Sequence, residues 1–67
     1  MSVAKIIEIS AESSESFEAA IREGIARASK TIQNIRSAWV KEQQVIVEGN
    51  KITGYRVDLK VTFVLED

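Results

Sequence analysis

From Tyr55 to Leu65 the chain alternates apolar and mostly polar residues without a slip. Tyr55, Val57, Leu59, Val61, Phe63 and Leu65 interleave with Arg56, Asp58, Lys60, Thr62 and Val64. A period of two held this long specifies a strand with one face buried and the other open. Such a strand needs an apolar layer to cover it. The segment from Ser14 to about Ile32 supplies one, because Phe17, Ile21, Ile25, Ala28 and Ile32 recur at helical spacing. Ala20 and Gly24 add small groups to this stripe, which lets a helix approach a sheet closely. Ser13 or Ser14 is expected to cap the helix, its hydroxyl accepting from a free N–H of the first turn. Glu18–Arg22 and Glu23–Arg27 are i,i+4 pairs in the favourable order on the solvent side.

Two more strands follow from the pattern. Residues 3–10 place Ile7 and Ile9 on one face with Lys5 in phase. Residues 37–47 lead into a turn at Gly49-Asn50, two residues that tolerate positive φ, and then into the alternating strand. The order is β-α-β-β. The expected fold class is α+β, one domain over residues 1–67, with a three-stranded antiparallel sheet against one helix. A hairpin centred on Gly49-Asn50 pairs Ala38 with Val61 and Val40 with Leu59 toward the helix. On the outer face it pairs Ser37 with Thr62, Trp39 with Lys60, Lys41 with Asp58 and Gln43 with Arg56. Both hairpin strands change phase, near Gln43-Gln44 and near Thr53-Gly54. This predicts a bulge there and a tip that presents Val45, Val47 and Ile52 away from the helix, with Ile46 on the other side.

A chain of 67 residues buries a modest core, so it needs a staple. It has no Cys and no His, which excludes disulfides, thiolate metal sites and the commonest general base. Oligomerisation is the staple that remains, and it also covers an apolar hairpin tip. Nine basic and ten acidic residues are interspersed, so nothing points to nucleic acid or an anionic membrane. The longest unbroken apolar run is three residues, such as Val45–Val47, too short to span a membrane or to form the core of a secretory signal. A cytoplasmic protein is the expectation. No nucleophile–base pair, phosphate loop or metal-ligand spacing occurs, so no enzyme is expected.

Trp39 is the sole tryptophan, and the alternation sets it on the outer face with Lys60, Arg56, Gln43, Lys41 and Asp58. Two readings of that patch stand. It suits an aromatic, anionic ligand stacked on the indole. It also suits a subunit interface in which Arg56 stacks on Trp39, and the residues alone favour the interface. Glu8, Glu12, Glu15, Glu42, Glu48 and Asp58 offer oxygen ligands for calcium without calcium-loop spacing.

With "SSESFEAAI" opening the helix, "ARASKTIQNI" closing it and "ITGYRVDLKVTFVLED" at the end, the chain resembles the dodecins over nearly its whole length. The resemblance implies a sheet curled around the helix and a hollow homododecamer of cubic symmetry. It also implies a storage or buffering role, with flavins such as riboflavin or FMN held in pairs near two-fold axes and stacked on tryptophan. The family's stacking tryptophan falls on Ser37 here, its flavin-edge glutamine falls on Arg56, and its Gly-Thr-Ser before the helix reads Ala11-Glu12-Ser13. The segments around Trp39 and Tyr55 are similar to a subgroup without the flavin tryptophan, one relative of which binds calcium. Trp39 lies two residues past Ser37 on the same strand face, roughly 7 Å further on. The resemblance therefore names Trp39, Ser37, Arg56 and Gln43 as flavin-binding candidates. The alternative is a structural or calcium-binding shell without flavin.

Overall fold

The computed structural model describes residues 3–65. The ends of the expected 1–67 domain, residues 1, 2, 66 and 67, lie outside the described residues. The elements are β1 (Ala4–Ser13), α1 (Phe17–Ala28), β2 (Ile35–Glu48) and β3 (Lys51–Val64). The three strands form one antiparallel sheet in the order β1-β3-β2. The alternating segment is thus the central strand, where both of its edges are paired. Its inward residues Val57, Leu59 and Val61 are completely or almost completely buried, together with Ala20 of α1. Ile7, Ile9 and Ala11 of β1 and Phe17, Ile21 and Ile25 of α1 close around them. The Phe17 and Tyr55 rings meet edge to face at 5.1 Å, a favoured aromatic geometry.

The helix begins later and ends earlier than the periodicity predicts. Ser16, rather than Ser13 or Ser14, is the N-cap, and its Oγ accepts from the Ala19 N–H at 2.9 Å. Ser13 instead closes β1 and accepts from the Glu15 N–H at 3.0 Å. Ser16→Ala is expected to cost about 1 kcal/mol, read as a lower denaturation midpoint, whereas Ser14→Ala should leave the midpoint unchanged. At the other end, the N–H groups of Thr31 and Ile32 both donate to the Ala28 carbonyl, at 3.2 and 2.9 Å. Ile32 therefore lies beyond the helix, and Asn34 at φ 65° turns the chain into β2. The Glu18–Arg22 pair forms at 2.9 Å; among the described residues no Glu23–Arg27 pair forms.

At Gly24 α1 comes close to the sheet. A Cβ there would stand 3.0 Å from the Ala11 Cβ and 3.5 Å from Leu59 Cδ1. The helix packs on β1 and β3, leaving nearly all of β2 exposed. The molecule is accordingly long and thin, 51 × 19 × 13 Å.

The hairpin turn falls on Gly49 and Asn50 with φ of 57° and 66°, the two positive values that a type I′ turn requires. Ser37↔Thr62, Ala38↔Val61, Trp39↔Lys60 and Val40↔Leu59 pair as the sequence predicts. Lys41 is then an extra residue. The register resumes as Glu42↔Asp58, Gln43↔Val57 and Gln44↔Arg56, so the expected Lys41–Asp58 and Gln43–Arg56 pairs do not form. A bulge inverts the faces beyond it. Glu42 and Gln44 take the outer face, and Gln43 turns to the helix side opposite Val57. Two further extra residues interrupt the ladder: Thr53 separates Ile46↔Gly54 from Val47↔Ile52, and Arg36 separates Ile35↔Phe63 from Ser37↔Thr62.

The tip faces are therefore the reverse of the expectation. Val45 shares the helix-side face with Tyr55, and Val47 and Ile52 follow it. Ile46 packs outward over Gly54, where a Cβ would lie 3.2 Å from its Cγ1. Val47 and Ile52 remain exposed because the helix does not reach that far along the hairpin.

Candidate functional site

The outer face of the sheet is built from cross-strand partners across all three strands. On β3 it carries Arg56, Asp58, Lys60 and Thr62. Their β1 partners are Glu12, Ser10, Glu8 and Ile6, and their β2 partners are Gln44, Glu42, Trp39 and Ser37. Trp39 is 47% exposed, and the Lys60 Nζ stands 6.0 Å from its ring centroid. That distance is the outer limit of a cation–π contact.

The charges of this face are largely paired with one another. Arg56 Nε and Nη2 both donate to Glu12 Oε1, at 3.1 and 2.9 Å. The Lys41 Nζ reaches across β3 to the Glu8 carboxylate of β1, at 3.3 Å. The bulge makes this reach feasible by removing Lys41 from the ladder. Both pairs are half-exposed, so each is worth at most about 1 kcal/mol. Glu42 and Asp58 stand directly opposite one another, a like-charge pairing that costs stability by itself.

Of the four residues named from the sequence, three share this face. Trp39 is half-exposed on the edge strand β2. Ser37 lies beside it, exposed and opposite Thr62. Arg56 is present but held by Glu12. Gln43 is on the opposite face, for the reason given above, and Gln44 occupies the place expected of it. Glu12 and Glu8, named from the sequence only as oxygen donors for calcium, are the residues that sequence reasoning did not place beside Arg56 and Lys41. Their opposite charges to Arg56 and Lys41 were visible, but the β1–β3 register was needed to bring them together.

A separate cleft of about 390 Å³ lies between β1 and α1, lined by Ile9, Ser10, Ala11, Glu12, Glu23, Gly24, Arg27 and Ala28. It does not include Trp39 or Lys60. Among the described residues no group of three acidic side chains converges as a metal site.

Comparisons with known proteins agree with this architecture. The Dodecin family model matches residues 3–66. The calcium dodecin of Mycobacterium tuberculosis is 44% identical over 64 residues, covering 94% of this chain and 89% of the relative. Its crystal structure, described as a calcium-chelating immunodominant antigen with a novel calcium-binding site, superposes with a TM-score of 0.83 at 36% identity, covering 96% of this chain and 91% of the other. A variant of the Thermus thermophilus dodecin superposes with a TM-score of 0.94 at 36% identity, covering 100% and 98%. The dodecin from Streptomyces davaonensis gives 0.94 at 32% identity, covering 98% and 97%. The strand order, the single helix and a family match over residues 3–66 lead to one conclusion: this chain belongs to the dodecin family.

Proposed function

We propose that the chain assembles into a dodecin-type hollow homododecamer in the cytoplasm and that the shell sequesters a flavin, riboflavin or FMN, by stacking on Trp39 between subunits. The observation that carries this reading is the indole itself. It stands half-exposed on the edge strand β2, on a sheet face where Arg56 and Lys41 are held in ion pairs. An aromatic surface of that size favours cover by another flat apolar group. Assembly is supported by β2, which the helix leaves open, and by a core with, among the described residues, three large fully buried side chains, too small to stand comfortably alone. The role is binding rather than catalysis.

A second reading, a shell that binds calcium and no flavin, is favoured by the 44% identity to a protein named calcium dodecin. In this chain Glu42 and Asp58, which stand opposite one another and are in no ion pair among the described residues, are the oxygen donors such a site would draw on, joined by donors from a neighbouring subunit.

Titration with riboflavin and FMN separates the two. Under the flavin reading, ligand fluorescence and Trp39 emission are both quenched at micromolar concentration. Trp39→Ala then weakens binding about tenfold or more, the magnitude of one lost aromatic stack. Unquenched flavin with unchanged Trp39 emission removes the flavin reading. A calcium-dependent rise in melting temperature would then favour the second. Light scattering should give a mass twelve times that of one chain, and a monomer or dimer refutes the shell.

A further inference from the structure

Arg56, Lys41 and Lys60 are not equivalent. We propose that Lys60 sets the charge selectivity of the Trp39 site, so that it prefers a planar aromatic ring bearing an anionic group over the same ring without one. The inference rests on the stacking role of Trp39 proposed above and adds the chemical class of the ligand.

Arg56 is committed. Two of its nitrogens share one oxygen of Glu12, at 3.1 and 2.9 Å, so its charge is largely compensated within the sheet. Lys41 is committed to Glu8, at 3.3 Å. Glu8 is the β1 cross-strand partner of Lys60 and would be its natural counter-ion. The bulge at Lys41 diverts that carboxylate across the sheet. Lys60 is left with no carboxylate in ion-pair range among the described residues, and its ammonium rests over the indole instead.

A ring sliding onto Trp39 moves the ammonium from the indole face to the ring edge. An anionic substituent there replaces a weak cation–π contact with a charge pair. The other side of the site opposes an anion, because Glu42 and Asp58 face each other one step along the strands. The ligand's negative group must therefore lie on the Lys60 side, which fixes its direction on the indole.

The chain has one tryptophan, so its fluorescence reports this position alone, and the test needs no natural ligand. Collisional quenching of Trp39 by iodide is compared with quenching by neutral acrylamide. Lys60→Gln should lower iodide quenching about twofold by removing the local positive potential, with acrylamide unchanged. Lys41→Ala should move it the same way, since Glu8 is then free to pair with Lys60. Arg22→Gln removes a charge from the solvent side of the helix and should change neither. Where flavin binds, the FMN-to-riboflavin affinity ratio should fall roughly three- to fivefold in Lys60→Gln, the scale of one partly exposed ion pair. Equal iodide quenching in Lys60→Gln and the parent protein overturns the assignment, as does an unchanged ratio. An iodide effect without flavin binding supports the charge assignment and removes the flavin reading.

Discussion

Leu59→Ala should lower the stability of the fold by about 2–5 kcal/mol, the range for truncating a fully enclosed leucine. Leu59 is 1% exposed and lies on the central strand between Val57 and Val61. Its Cδ1 reaches toward Gly24 of the helix, so the cavity opens where sheet and helix meet. A chain of this size has about 3–10 kcal/mol in total, and the variant should be largely unfolded well below the parent's midpoint. Far-ultraviolet circular dichroism during heating checks this. Val40→Ala is the control. Val40 is the β2 partner of Leu59 on the same face but is 40% exposed, so its truncation should be tolerated. A midpoint for Leu59→Ala within a few degrees of the parent would show that assembly, rather than this core, holds the fold.

Gly24→Val should cost about 1–3 kcal/mol by overpacking a close helix–sheet approach. The first added carbon already meets the Ala11 Cβ at 3.0 Å, with Leu59 and Ile9 side chains at 3.5 and 3.7 Å. The two further methyl groups have nowhere to go unless α1 lifts from β1. Alanine is the informative intermediate. It gains about 1 kcal/mol of helix propensity and loses contact energy against Ala11, so the two nearly cancel. In an Ala11→Gly background the clash is gone, and Gly24→Ala should become stabilising. A double-mutant cycle by chemical denaturation measures that coupling, and a coupling of zero would mean that the two elements do not touch as described.

The parts of this fold that were legible in the sequence are those governed by a single period. The alternation from Tyr55 onward identified the strand that proves central, the Phe17–Ala28 stripe identified the helix, and Gly49-Asn50 fixed the hairpin turn and the register beside it and again at residues 37–40. The bulge at Lys41 was not legible at its true position. Residues 41–44 read Lys-Glu-Gln-Gln, and four polar residues in a row carry no phase. Reading the phase change near Gln43-Gln44 without inverting the faces exchanges Gln43 for Gln44 in the site and reverses the hairpin tip. The N-cap was obscured differently. "SSES" offers three hydroxyls of equal chemistry, and the choice of Ser16 depends on β1 running on to Ser13 opposite Tyr55. At the site, Trp39 and Lys60 were found together because they are hairpin neighbours. Arg56 was assigned to Gln43, Trp39 or a ligand because its ion-pair partner, Glu12, is 44 residues away in sequence.

The position of β3 also has a consequence for how the chain is made. The strand that both neighbours pair with, and that carries Val57, Leu59 and Val61, is the last element in chain order. During synthesis β1, the helix and β2 all emerge before their shared partner exists. A nascent chain complete to Glu48 has no β3 with which either strand can pair. Its largest fully buried side chains have not yet been made, so its apolar stripe stays open to water. Folding is then a single late event that closes the long loop between β1 and β3, with the entropy cost that distant contacts carry. Prematurely terminated chains lack the centre of the sheet and expose apolar surface, leaving them open to proteolysis before they can enter an assembly.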